Sequence, residues 1–127
     1  MRIIGIGVDI VETSRIASSI ERLGKPFLDR VFTKNERLYC DALHSPEASY
    51  AARFAAKEAV SKAFGTGMGA RISWLDIEVQ RNAEGKPTIE LTGEGAIFAR
   101  ELGVVEVMVS LSHSEHYAVA QVVACGG

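Results

Sequence analysis

Two cysteines in 127 residues, Cys40 and Cys125, leave no material for a disulfide framework and no paired spacing for a metal. Such sparse use predicts a reduced, cytoplasmic setting. Positive charge is not in excess either. Fourteen Lys and Arg stand against sixteen Asp and Glu, so no overall basic field invites nucleic acid. No apolar run is long enough to span a membrane. The apolar start soon meets Asp9 and Glu12, which argues against a signal peptide. Repeats, low-complexity tracts and linkers are absent as well. What is present is a chain that is 47% hydrophobic, predicted to form one domain over residues 1–127 with a core of its own.

The chain is organised around Arg53 to Gly69, RFAAKEAVSKAFGTGMG. At about 100° per residue, Ala52, Ala56, Ala59 and Ala63 share one arc of a helix. Arg53, Lys57, Glu58, Ser61 and Lys62 share the opposite arc. The alanine side permits close packing. The other side sets one carboxylate among three cations. Gly65 can end the helix, and Gly67 and Gly69 keep the following backbone bare. An acid among cations beside exposed backbone suits a metal-bound polyphosphate. The same Glu58–Lys62 spacing also decorates solvated helix faces, where a pair contributes roughly 0.2–0.5 kcal/mol.

Residues 2–11, RIIGIGVDIV, predict a first strand. Ile4, Ile6, Val8 and Ile10 fall on one face; Gly5, Gly7, Asp9 and Val11 fall on the other, where the two glycines leave room for a bulky neighbour. A carboxylate in so apolar a run needs a cation, a metal or a cap to answer it. Asp9 therefore either caps the turn after the strand or belongs to a site. Magnesium commonly takes one or two protein carboxylates together with waters and substrate phosphates. Asp9 and Glu58 are the candidate pair, with Arg53 and Lys62 as phosphate partners. Neither Gly5-x-Gly7 nor Gly65-Thr66-Gly67 matches a dinucleotide or Walker loop.

Thr13 or Ser14 can cap a helix to Leu23 that turns Ile16, Ile20 and Leu23 inward. Basic residues gather nearby at Arg15, Arg22, Lys25, Arg30 and Lys34, either to dock an acidic partner or as an ordinary surface with its acids interleaved. Thr33-Lys34-Asn35-Glu36 is a capping box. Ser45-Pro46-Glu47 starts the long helix. Strands are expected over Ile72–Gln80 and Thr88–Thr92, joined by the turn at Asn82–Pro87. A short helix with Ile97, Phe98 and Leu102 follows, then a hairpin of Val104–Ser112 and Tyr117–Ala124. The pattern predicts an α+β fold with an antiparallel sheet and a long central helix. The hairpin is apolar on both faces, with Val105, Val107, Val109 and Leu111 on one side and Val104 and Met108 on the other. That excess, with Gln121 in its midst, points to a homo-oligomer interface.

Three blocks together, GIGVDIVETSRI, RFAAKEAVSKAFGTG and VSLSHSEHYAVAQVV, closely resemble the holo-[acyl-carrier-protein] synthases. These are the small, trimeric members of the 4′-phosphopantetheinyl transferase superfamily. The match spans essentially the whole chain, in the family's order and at its length. The resemblance implies that fold, and transfer of phosphopantetheine from coenzyme A to a serine of an acyl carrier protein, with adenosine 3′,5′-bisphosphate leaving. It implies that Asp9 and Glu58 hold magnesium against the diphosphate, with Lys62 near the phosphates as the third catalytic group. It implies coenzyme A contacts from Arg53, Lys62, Gly65, Thr66, the Gly85-Lys86-Pro87 turn and His113. Carrier-protein docking is implied at Arg15, with Arg22 and Lys25 as an extension, and a homotrimer is implied with sites between subunits. Two rival readings use the same residues. One is a magnesium-dependent coenzyme A diphosphate hydrolase. The other is a non-catalytic module that binds an acidic protein, which leaves Asp9 and the Lys57-Glu58 block without a purpose.

Overall fold

The computed structural model describes all residues, 1–127. The alternating run at the start forms β1 (Arg2–Glu12). Four helices follow: α1 (Thr13–Leu23), α2 (Lys25–Val31), α3 (Lys34–Asp41) and the long α4 (Pro46–Ala63). β2 (Ile77–Arg81) and β3 (Pro87–Leu91) form a hairpin, and α5 (Gly93–Leu102) leads to the second hairpin, β4 (Val104–His113) and β5 (Tyr117–Gly126).

The strands form two antiparallel sheets where the sequence suggested one. β1, β5 and β4 make a three-stranded sheet with β5 in the middle, and β2 and β3 pair apart from it. α4 crosses the three-stranded sheet over β1 and β5. Small residues bring them close. Ala55, Ala56 and Ala59 of α4 meet Ala118, Ala120 and Ala124 of β5 in the buried core. On β1 the neighbour that fills the space beside Gly5 and Gly7 is the backbone of α4 itself. A Cβ at Gly5 would lie 1.9 Å from the Ala63 carbonyl oxygen, and one at Gly7 2.0 Å from that of Ala59. Gly7→Ala is therefore expected to cost at least about 1–3 kcal/mol, seen as a lower midpoint of urea unfolding. An unchanged midpoint would show that α4 can ride up without loss.

Several local expectations are corrected. Glu12, not Thr13 or Ser14, is the N-cap of α1, and the Thr13 hydroxyl is buried without a partner. Leu23 is exposed rather than inward. Residues 72–76 are not strand. Ser73 and Asp76 form a reciprocal cap around a single 3-10 turn, Trp74–Asp76, so β2 begins only at Ile77. In β4 the register shifts between Val104 and Glu106. That extra residue throws Val105 out to solvent, while Val104 and Val109 are buried. The capping box on α3 is present in full: Thr33 Oγ1 accepts from the Glu36 amide at 3.2 Å, and Glu36 Oε1 accepts from the Thr33 amide at 2.8 Å.

The sheet face turned away from α4 has nothing over it. Ile6, Val8 and Ile10 are 65%, 56% and 64% exposed. Met108 and Gln121 are exposed beside them, in the register Val8–Gln121–Ser110 across the three strands.

Candidate active site

The close approach of α4 to β1 sets the positions of three charged groups. Lys62, on the last turn of α4, reaches over β1. Its ammonium donates to Asp9 Oδ1 at 3.0 Å and to the Val8 carbonyl at 3.1 Å. Asp9 is on the α4-facing side of β1 and its side chain is mostly buried. Glu58 lies one helical turn before Lys62 and is half-buried. Asp9 and Glu58 line one cleft of about 230 Å³, together with Arg15 and Ser19 of α1 and the rings of Phe27 and Phe54.

The electrostatics of this cleft call for a cation. Burial pushes the Glu58 carboxyl up from its ordinary value, Asp9 pushes it further, and Lys62 only partly offsets them. A carboxyl raised by burial and by a second carboxylate beside it makes with that neighbour a donor set for a hard divalent ion. No group of three or more Asp, Glu, His or Cys residues gathers anywhere in the chain. Magnesium held here would thus take two protein oxygens and leave its other positions to water and substrate phosphate.

The remaining candidate residues divide among other surfaces. Arg53, Lys57 and Ser61 are all buried, although the helical wheel puts them on a charged outer arc. Lys57 has no part in the cleft: its ammonium pairs with Glu36 at 2.7 Å in the interior. Arg53 lines a separate cavity with His113, which lies at the exposed end of β4. Lys86 and Pro87 line a third cleft, between the facing edges of β3 and β4. Gly85, between them and β2, has φ +86°, and its carbonyl accepts from Arg81 Nη1 at 2.6 Å. Gly65 and Thr66 are exposed just past α4; the Gly65 amide donates to the Lys62 carbonyl at 3.0 Å and the Thr66 hydroxyl to the Gly67 carbonyl at 3.0 Å, which leaves the Thr66 amide without a partner in the chain. Among the basic residues, Arg15 is at the cleft. Arg22 is exposed at the end of α1, and Lys25 is paired with Asp29 at 2.7 Å. Sequence reasoning passed over Glu36 as more than a cap, and over Tyr39, Ser49 and Arg81. Only the capping box carried any signal among these.

Comparison with known proteins agrees with the blocks read in the sequence. The 4′-phosphopantetheinyl transferase superfamily pattern matches residues 5–122. The holo-[acyl-carrier-protein] synthase of Koribacter versatilis is 48% identical over 121 residues, covering 95% of this chain and 97% of that one. Among solved structures, the holo-(acyl-carrier-protein) synthase of Bacillus anthracis in complex with CoA (3′,5′-ADP) superposes with a TM-score of 0.84 at 40% identity, covering 100% of both chains. The Helicobacter pylori holo-[acyl-carrier-protein] synthase in complex with coenzyme A gives 0.84 at 33%, covering 94% of this chain and 99% of that one.

Proposed function

This chain belongs to the 4′-phosphopantetheinyl transferase superfamily, and we infer that it is a holo-[acyl-carrier-protein] synthase, an enzyme that moves the phosphopantetheine arm of coenzyme A onto a serine of an apo acyl carrier protein. The observation that carries the assignment of roles is the Asp9–Glu58–Lys62 cluster beside Arg15 at one cleft. In the reaction the serine oxygen bonds to the phosphorus that bears the arm. The phosphoanhydride bond breaks, adenosine 3′,5′-bisphosphate leaves, and the serine proton is lost.

Asp9 and Glu58 would hold magnesium, which when bound neutralises diphosphate charge as the leaving group departs. The chain's own groups do the positioning. Lys62 keeps Asp9 in place with one N–H and has a third, uncommitted donor for a phosphate oxygen. Arg53 and His113 supply the nucleotide side of the donor site, with the turn at Gly85, Lys86 and Pro87 and the loop of Gly65 and Thr66, where the Thr66 amide is the donor left free. Their separation from Asp9 along this chain supports a homotrimer in which neighbouring subunits complete each site. The uncovered apolar sheet face, with Gln121 at its centre, is the surface that a trimer would bury. No helix is long and apolar enough to cross a membrane. We place the enzyme in the cytoplasm, serving fatty acid biosynthesis, with residues 1–127 as its single transferase domain.

Intact-mass analysis of an apo carrier protein incubated with the chain, coenzyme A and magnesium tests the reading. A gain of one phosphopantetheine, lost with a chelator, is expected. Cleavage of coenzyme A with no mass gain would instead identify a diphosphate hydrolase.

Arg15 is proposed to dock the carrier protein, since carrier proteins of this family are acidic and Arg15 stands exposed at the mouth of the cleft. Arg22 and Lys25 extend that basic surface. Arg15→Glu should raise KM for the carrier protein at least tenfold, about 1.4 kcal/mol, while KM for coenzyme A stays within twofold. Equal loss toward both substrates would reject the docking role.

A further inference from the structure

The glycine-rich exit of α4 is gripped at both ends by one side chain of α5. Met68 packs against the core, while Gly65, Thr66, Gly69 and Ala70 are exposed. Gly65 and Gly67 hold φ at +86° and +68°. Glycine loses more freedom than any other residue when its backbone is fixed, so such a loop needs anchors outside itself. Phe98 of α5 supplies them. Its buried ring meets the ring of Phe64 edge-on, with the centroids 5.9 Å apart. The guanidinium carbon of Arg71 lies 4.2 Å from the centroid of the same ring. Phe64 precedes the loop and Arg71 follows it. Glu101, one turn beyond Phe98, forms an ion pair with Arg71. Gly95, one turn before Phe98, admits Ile72, since a Cβ there would lie 2.9 Å from Ile72 Cγ1. Gly95, Phe98 and Glu101 therefore make one stripe of α5 that seats the return of the loop.

We propose that Arg71, clasped by Phe98 and Glu101, is a positioning residue for the donor: it holds residues 65–70 in place, so that the free Thr66 amide stands ready for a phosphate oxygen of coenzyme A. This deepens the transferase reading and rests on it, and on the place of Gly65 and Thr66 at the donor. A ligand that must first order a loose glycine loop binds more weakly by the entropy lost in ordering it, and a loop already held avoids that loss. The clasp does not hold up the whole fold. Arg71 and Glu101 are both about half exposed, and an ion pair so placed adds little to global stability. Arg71 is also committed to the ring and to Glu101, so it acts through the loop rather than on the phosphate. The loop's own ties are few: the Gly67 amide donates to the Ser61 carbonyl at 3.2 Å and the Gly69 amide to the Ile72 carbonyl at 2.9 Å. Those two amides report directly on whether the clasp is closed.

The test reads loop order and donor use side by side on the full chain. In Arg71→Leu without ligand, hydrogen exchange at the Gly67 and Gly69 amides should be about 3–10-fold faster than in wild type, with the other protected amides unchanged. KM for coenzyme A should rise by the same factor, while kcat and KM for the carrier protein stay within twofold. Glu101→Gln then decides between holding the loop and touching the phosphate. A clasp weakened from that side should also raise KM for coenzyme A. An arginine that bound phosphate directly would be released by the same change, and KM would fall. Such a fall overturns the proposal, as does unchanged exchange in Arg71→Leu. Faster exchange with KM for coenzyme A unmoved overturns the place of Gly65 and Thr66 at the donor, and the positioning role with it. A wild-type chain that transfers nothing from coenzyme A would overturn the transferase reading instead, whatever the exchange shows.

Discussion

Glu58→Gln should lower kcat/KM for transfer by about 10²–10³-fold while leaving the folded chain as stable as before, or slightly more so, at neutral pH. The two halves of that expectation have one cause. The Glu58 carboxyl is raised from its ordinary value of 4.5, first by burial and then by the Asp9 charge. A carboxylate whose folded pKa is raised binds its proton more readily in the folded state than in the unfolded chain. Its ionised form is therefore a burden on stability. The burden is absent below the ordinary carboxylate range, grows as pH rises through the raised pKa, and is complete above it. Neutral glutamine relieves it, but cannot share a divalent ion with Asp9. For wild type, activity should fall on the acid side as Glu58 takes up its proton, because protonation competes with the ion. Higher magnesium should move that acid limb to lower pH. Asp9→Asn should bring the Glu58 pKa part of the way down, since burial, the larger cause, persists; NMR titration of the side-chain carboxyl reads this directly. Loss of stability in Glu58→Gln that matched the loss of transfer would make Glu58 a structural residue.

The parts of the molecule legible in the sequence are those fixed by neighbours along the chain. The capping box at Thr33 and Glu36, the proline start of α4 and the alternation of β1 are each written within a few residues. Asp9 and Glu58, paired in the sequence because the strand face and the helix arc each exposed one unanswered acid, line one cleft in the fold. What failed depends on what packs against each face. A helical wheel sets Arg53, Glu58 and Lys62 on one arc but ignores the axis. Lys62 comes nine positions after Arg53, roughly 13 Å along the helix, and Glu58 turns to a different side of α4 from Arg53, so Glu58 lines one cavity and Arg53 another. The wheel also calls Arg53 and Lys57 outward, yet α3, β2 and the turn at Trp74 cover them. Val105 was misplaced because a one-residue register shift inverts every later side chain, and valine alone does not announce a bulge.

Lys57→Met should be among the most destabilising single changes in the chain, at about 3–5 kcal/mol, lowering Tm by at least about 10 °C. Lys57 is wholly buried, and its three N–H donors are all used, on Glu36 Oε1 at 2.7 Å, the Val31 carbonyl at 2.7 Å and the Trp74 carbonyl at 3.0 Å. Burial pushes its ammonium pKa down, and the Glu36 charge pulls it back up. Glu36 in turn accepts from the Thr33 amide and, through Oε2, from the Val79 amide at 2.7 Å. One buried pair thus fastens the end of α2, the cap of α3, the turn before β2 and β2 itself to α4. Removing the lysine strands the carboxylate and orphans two carbonyls. Removing the charge on both sides, Glu36→Gln with Lys57→Met, should recover only part of the loss, because Thr33 and Val79 each need an acceptor and one amide oxygen cannot serve both well. Catalysis separates this role from that of the next residue. Lys57 points into the interior while Glu58 faces the cleft, so Lys57→Met assayed well below its Tm should turn over at a rate near that of wild type. A collapse of kcat with Tm unchanged would place Lys57 at the chemistry and dissolve the distinction. The opposite pattern, a folded fraction that works normally and melts early, fits a helix whose one face holds the fold while its neighbouring face holds the site.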